Sequence, residues 1–286
     1  MSLRQKLKDF SDLVVFEHTI FSLPFIFLAM VVAAHGWFGW RLLFLGAIAA
    51  VSARNFAMGV NRYLDRDIDA LNPRTKNRPS VDGRVSTNEM LLFIGANALI
   101  FIATAYFINS LALKLSIPIL IILGVYTLFK RFSALAHIVL GISLGLAPIA
   151  GAIAVLGDIP GWVVLLSIGV TFWVAGFDLL YSLQDIDFDR EHKLHSIPAK
   201  LGAQNTLRLA LLFHILTVIC WYLFVKSANL NTLATLAVAL AAIMLAYEHY
   251  LVRKDFTKID RAFFTVNGYL GFIFFILVTL DIALLG

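Results

Sequence analysis

Nine stretches of about twenty mostly apolar residues succeed one another along the chain, at roughly 14–34, 41–60, 89–110, 112–129, 135–156, 162–182, 205–226, 231–252 and 262–284. A helix needs about 20 such residues to cross the roughly 30 Å hydrocarbon core of a bilayer. Only "SLALKLS" separates the third run from the fourth, so that boundary is soft. Composition agrees, with 60% apolar and 14% charged residues and a mean hydropathy of +0.86, where a soluble domain carries about 25% charge. The expected fold is all-α: one polytopic membrane domain, 1–286, with nine transmembrane helices.

The polar start "MSLRQKLKDFSDL" has no small-residue cleavage pattern after the first apolar run, so no cleaved signal peptide is expected. Cys220 is the single cysteine and cannot form an intrachain disulfide. A net charge of +5 could suggest nucleic acid, but basic loops in a membrane protein set orientation. Nineteen Lys and Arg fall in the N-terminal segment and the even-to-odd loops, against Arg41, Lys114 and Lys226 on the opposite side. That bias places the N-terminus in the cytoplasm and, with nine spans, the C-terminus across an inner (plasma) membrane.

The chain repeats itself at two charged segments. "DRDIDALNPRTKNRP" follows the second run and "DIDFDREHKLHSIP" the sixth, giving Asp65/Asp67/Asp69 and Asp185/Asp187/Asp189. Two four-helix pseudo-repeats plus one extra helix would produce this arrangement. Copies of even length share topology, which disfavours an inverted-repeat transporter.

Asn61, Asp65 and Asp69 are spaced i, i+4, i+8, and would form one column if the second helix continues into the loop. Asp185 and Asp189 repeat the spacing, and Asp178 lies two turns earlier. Stacked carboxylates repel unless a cation sits between them. Oxygen ligands in small number suit Mg²⁺, which completes its shell with water and phosphate oxygens. Arg74, Lys76, Arg78, Lys130, Arg131 and Lys193 supply bases nearby, so acids for a metal and bases for an anion together describe a diphosphate site. Asp67, Asp187, Glu191 and Lys200 read as a solvated face. Arg54, inside an apolar helix seven residues before Asn61, needs a partner or a cavity. Glu17 and His18 either line the site or anchor a helix end. His192 and His195 carry no transition-metal expectation among so many carboxylates. His137, His214, Glu248 and His249 read as packing or helix-end residues.

These motifs resemble those of the UbiA superfamily of intramembrane prenyltransferases over nearly the whole chain. Its N-D-x-x-D-x-x-x-D motif matches Asn61, Asp65 and Asp69, and its D-x-x-Y-(A/S)-x-x-D-x-x-x-D motif matches Asp178, Tyr181, Ser182, Asp185 and Asp189. Its Y-x-x-x-K matches Tyr126 to Lys130, and its buried arginine matches Arg54. Arg62 departs from the pattern, standing where many members have Asp. "FEHTIFSLPF" and the first acidic segment look like the 4-hydroxybenzoate polyprenyltransferase-like subgroup.

The resemblance implies Mg²⁺-dependent transfer of a polyprenyl group from its diphosphate to a small aromatic acid in quinone (ubiquinone or menaquinone) biosynthesis. It implies metal ligation by Asn61, Asp65, Asp69, Asp185 and Asp189, and substrate binding by Arg54, Arg74, Arg78, Tyr126, Lys130, Arg131, Tyr181 and Lys193. Asp65, Asp185, Lys130 and Asp178 take the catalytic roles, Asp178 as the group that orients the acceptor hydroxyl or takes the ring proton. The acceptor is of the 4-hydroxybenzoate type or, alternatively, a naphthoate of the futalosine menaquinone route. No protein partner is implied. A cation transporter is the alternative from another class, but its acids should be distributed through the membrane. A CDP-lipid phosphatidyltransferase would carry D-G-x-x-A-R, which the chain lacks.

Overall fold

The computed structural model describes residues 3–14, 23–255, 259 and 265–286, and the regular structure among them is helical throughout. Helix α1 (Leu3–Val14) lies ahead of α2 (Leu23–Ala34) and α3 (Trp40–Leu64), and the six-residue α4 (Arg66–Leu71) follows α3 directly. Then come α5 (Thr87–Ile108), α6 (Ser110–Val125), a 3₁₀ turn over Tyr126–Arg131, α7 (Ala136–Leu156) and α8 (Gly161–Tyr181). A second 3₁₀ turn, Ser182–Asp185, leads into α9 (Ile186–Glu191), α10 (Ile197–Leu201), α11 (Ala203–Ser227), α12 (Thr232–Lys254) and α13 (Asn267–Leu285).

Eight of the described helices are long and apolar enough to cross a membrane. The first expected run, 14–34, is represented by the shorter apolar α2, because 15–22 lie outside the described residues. The protein is an all-α integral membrane protein. The soft boundary between the third and fourth runs resolves at one residue. Asn109 is extended, ends α5, and caps α6 by accepting a hydrogen bond from the Ala112 N–H at 2.8 Å. "SLALKLS" therefore forms the first turns of α6 and no loop. Ser86 and Glu89 form a reciprocal capping box that starts α5.

Helix α8 is the centre of the bundle. Of its apolar window 67% is buried, against 22% for α3, α5 and α6. Glycines set its separation from its neighbours. A side chain at Gly141 or Gly145 of α7 would collide with Thr171 of α8, and Gly169 and Gly176 of α8 lie against Trp221 and His214 of α11. Around α8, Phe25, Trp173, Trp221 and Phe274 pack with ring centroids 4.7–6.1 Å apart, mostly tilted. This packing suits aromatic rings, which prefer offset and tilted contacts.

Several buried polar side chains in this region are joined by hydrogen bonds. Trp173 Nε1 donates to Asn267 Oδ1 at 2.8 Å, Asn267 Nδ2 to Glu248 Oε1 at 2.8 Å, and His214 and His249 are 3.0 Å apart. His214, Glu248 and His249 are thus interior groups joining α8, α11, α12 and α13, as the packing reading expects. Asp281 of α13 accepts from the N–H groups of Asn231 and Ala234 and so caps α12.

Candidate active site

Both acidic segments leave their long helices in the same way. At Asp65 the backbone turns to φ −92°, ψ 3°, and at Asp185 to φ −104°, ψ 7°, and each is followed by a six-residue helix. This bridge region of backbone space is sparsely populated and frequent in active sites. The second long helix therefore does not run on unbroken, as the column reading supposed. The i to i+4 bonds nevertheless persist across the break, Asp65 N–H to Asn61 carbonyl at 2.9 Å and Asp69 N–H to Asp65 carbonyl at 2.8 Å. The column survives the kink.

The segments close on a cavity of ≈ 280 Å³ between the ends of α3, α7 and α8, lined by Asn61, Asp65, Asp69, Asp178, Asp185 and Asp189 and by Arg74, Arg78, Tyr126, Lys130, His137 and Tyr181. Two distant motifs thus share one chamber.

Each carboxylate but Asp189 makes an ion pair with a cation or a histidine, and Asp189 feels Lys130 and His137 at longer range. Asp65 is buried, and its Oδ2 receives Asn61 Nδ2 at 2.9 Å, Thr127 Oγ1 at 2.9 Å and Lys130 Nζ at 2.5 Å. The 3₁₀ turn explains how Thr127 and Lys130 both reach it, since residues three apart eclipse in that geometry. Asp65 Oδ1 is buried with no partner. Arg78 grips both oxygens of Asp69 at 2.6 and 2.7 Å. Arg74 crosses from the loop after α4 to Asp185 at 2.6 Å and to the Tyr181 hydroxyl at 3.1 Å. That crossing joins the two motifs. Asn72 adds a bond to Asp185 at 3.3 Å and turns the loop by accepting the Arg74 N–H. Ser196 is hydrogen-bonded to Asp189.

Arg62, the departure from the family motif, is buried. Its Nη1 donates to Asn61 Oδ1 at 3.0 Å and its Nε to the Leu13 carbonyl at 3.2 Å. It fixes the Asn61 amide, so that its nitrogen faces Asp65, and ties α1 to α3.

Three expected site residues lie elsewhere. Arg131 turns outward to Asp67, 2.6 Å away, and to the Leu64 carbonyl, lining a shallow separate pocket. Its hydrogen bond holds the Asp67 carboxyl below the usual carboxylate range. Asp67, expected on a solvated face, is indeed exposed, and it is paired there with Arg131. Lys193 is exposed on the turn after α9, with φ +54°, and does not line the chamber. Arg54 lines a second, apolar cavity of ≈ 140 Å³ among α2, α3, α5, α6 and α7, where its Nε has no partner. Tyr126 and Leu140 line both cavities and mark their junction. A smaller apolar cavity of ≈ 40 Å³ continues towards the far end and shares Ile26, Ala49, Phe101, Ile119 and Ala150 with the second. Glu17 and His18 lie outside the described residues.

The residue that sequence reasoning missed is His137. Its Nδ1 lies 2.7 Å from Asp178 Oδ2, and it lines the acidic chamber. Nothing in its apolar surroundings marked it, but it opens α7 close after Lys130, just where a helix returns from the charged end. Among the described residues, no three His, Cys, Asp or Glu side chains converge as a closed metal site. The all-oxygen donor set and the free Asp65 Oδ1 fit a Mg²⁺ that keeps water or phosphate oxygens, not a fully protein-caged ion.

The UbiA prenyltransferase family model matches residues 22–278. The 4-hydroxybenzoate octaprenyltransferase of Albidiferax ferrireducens is 31% identical over 87% of this chain and 83% of its own length. That of Herminiimonas arsenicoxydans is 28% identical over 88% and 89%. Among solved structures, a UbiA homolog from Aeropyrum pernix superposes with a TM-score of 0.84 and 35% identity, covering 93% of this chain and 98% of its own. A UbiA homolog from Archaeoglobus fulgidus bound to GPP and Mg²⁺ shares the fold, with a TM-score of 0.74 and 19% identity over 95% and 99%. The chain is therefore an enzyme of the UbiA prenyltransferase family, of the 4-hydroxybenzoate polyprenyltransferase-like type.

Proposed function

We propose that the protein transfers a polyprenyl group from a polyprenyl diphosphate to a small aromatic acid of the 4-hydroxybenzoate type, with Mg²⁺, at the cytoplasmic face of the inner membrane. The observation that carries this reading is the shared wall at Tyr126 and Leu140, where a chamber of paired acids and bases adjoins an apolar cavity. A diphosphate head needs the first and an isoprenoid tail the second. The curated relatives are named for octaprenyl transfer to 4-hydroxybenzoate, and the A. fulgidus homolog binds GPP and Mg²⁺.

The chain's own residues would act as follows. Asp65, Asp69, Asp185 and Asp189 would hold the metal, and Asn61 would join them only by giving up its present bond from Arg62 and turning its amide. A bound Mg²⁺ supplies neutralisation of the charge that grows on the departing diphosphate. Lys130, Arg74 and Arg78, now paired with carboxylates, would turn to the phosphate oxygens when those carboxylates take the metal, so neither charge set is left unpaired. Fixed cations aimed at developing charge lower the barrier to C–O cleavage. The apolar walls keep water from the allylic cation. Tyr126 at the junction and Phe101 in the apolar cavity offer it aromatic faces. Arg54, beside Tyr126 and with an unpartnered Nε, would receive the acceptor's carboxylate. Arg131, committed to Asp67, would not.

The test is prenyl transfer by purified protein in nanodiscs, with prenyl diphosphates of several lengths and either 4-hydroxybenzoate or 1,4-dihydroxy-6-naphthoate, with and without Mg²⁺. Asp185→Asn should lower transfer by about 10²-fold or more, the scale seen when one aimed electrostatic group is removed. Product from the naphthoate alone would move the acceptor to the menaquinone route. Failure to bind any prenyl diphosphate would overturn the reading.

A further inference from the structure

His137 and Asp178 come from different helices, 41 residues apart, and meet at 2.7 Å through His137 Nδ1 and Asp178 Oδ2. A carboxylate accepting the Nδ1 proton leaves Nε2 as the basic nitrogen of the ring. Both residues line the acidic chamber. His137 is buried, and its Nε2 has no hydrogen-bond partner. His214 Nε2 and His249 Nδ1 are also buried without partners, but of the three histidines only His137 lines the acidic chamber. Leu140, one turn further along the same face of α7, lines both the chamber and the apolar cavity. The dyad therefore stands at the chamber side of the junction where head and tail meet. Close glycine packing of α7 on α8 at Gly141 and Gly145 fixes the two helices that carry it.

We infer that His137 is the general base that removes the proton from the ring carbon receiving the prenyl group, with Asp178 as the residue that positions it. The inference rests on the prenyl-transfer reading above. In the step it assigns, the allylic C–O bond breaks and its electron pair leaves with the diphosphate. A π pair of the acceptor ring forms the new C–C bond, giving a cyclohexadienyl cation. His137 Nε2 then takes the proton from that carbon, and the C–H pair restores the aromatic ring. The Asp178 carboxylate stabilises the imidazolium, which passes its proton to the departing diphosphate or to water. A prenyl diphosphate and an arene thus yield a prenylated arene, diphosphate and one proton. Asp178, expected from sequence to orient the acceptor hydroxyl or to take the ring proton, becomes the group that orients the base, a division of labour familiar from other carboxylate–imidazole pairs.

The experiment is single-turnover transfer in nanodiscs to an acceptor deuterated at the reacting ring carbon, with wild type, His137→Gln and His137→Gly. Metal-dependent binding of the prenyl diphosphate serves as the folding control. His137→Gln should slow transfer by about 10²-fold or more, the lower range for a lost general base. Proton loss should then limit the rate, so a primary isotope effect absent from the wild type should emerge. Imidazole added to His137→Gly should restore transfer. Asp178→Asn should add little to His137→Gln, because residues acting as a unit are not additive. Wild-type transfer by His137→Gln would overturn the inference alone and leave the diphosphate as the base. Slow transfer with neither isotope effect nor imidazole rescue would equally overturn it, by reducing His137 to packing. Absence of transfer by the wild type to any acceptor would overturn the underlying reading and the inference with it.

Discussion

Asp67 lies two residues from Asp65, yet its side chain leaves the chamber and takes Arg131. Its spacing already set it off the Asn61/Asp65/Asp69 column, so its direction could be read from the chain. What could not be read is that it removes Arg131 from the site, because Arg131 adjoins Lys130 and nothing local separates their roles. The Asp67 carboxylate is held low by that hydrogen bond. A depressed folded-state pKa adds stability above the unfolded value of about 3.9, and that stability is lost as pH falls through the lower folded value. The pair is largely exposed, so Asp67→Asn should cost under about 1 kcal/mol near neutrality. Thermal denaturation in detergent should show that deficit shrinking as pH is lowered past the carboxylate range, with prenyl transfer unaffected. A large loss of transfer would place Arg131 back in the site.

At the scale of elements, the site depends on how closely α7 approaches α8. Gly141 and Gly145 sit where a side chain would meet the Thr171 and Ser167 carbonyls or the Thr171 hydroxyl. Small residues at four-residue spacing let membrane helices touch backbone to backbone. Gly145→Val should force them apart, at about 1–3 kcal/mol of overpacking. It should also pull His137 from Asp178, and a displacement near 1 Å can cost about 10²-fold in rate. Lower thermal stability together with slower transfer and intact diphosphate binding would bear this out, whereas unchanged transfer would show that the spacing is not critical. The sequence "GISLG" displayed the spacing, but only the packed pair shows which neighbour it serves.

Across the whole molecule, the two halves differ in density. The helices packed on α8 enclose the aromatic cluster, while α3, α5 and α6 bury little of their surface. Between these looser helices and α7 run the two linked apolar cavities. Ala150 lines both. Ala150→Phe should fill the link and select against long prenyl chains, raising KM for an octaprenyl donor by about tenfold or more, since each methylene lost from an apolar pocket is worth about 1–3 kcal/mol. KM for a geranyl donor should stay near wild type. An equal effect on both donors would place the long chain outside these cavities, towards lipid.

The sequence by itself determined that this chain lives in a membrane, that its helices are arranged around two copies of an aspartate motif, and that oxygen donors and cations share one end. Those follow from run length, periodicity and charge, which are local properties. The tertiary structure decided which acid meets which base: Asp65 with Lys130, Asp69 with Arg78, Asp185 with Arg74, Asp178 with His137. It also decided that Arg131 and Lys193 stand outside the chamber and that His137 stands within it. Pairings across up to 111 residues depend on helix crossings and on a one-residue break at Asp65 and Asp185, and neither is encoded in the spacing of any single segment.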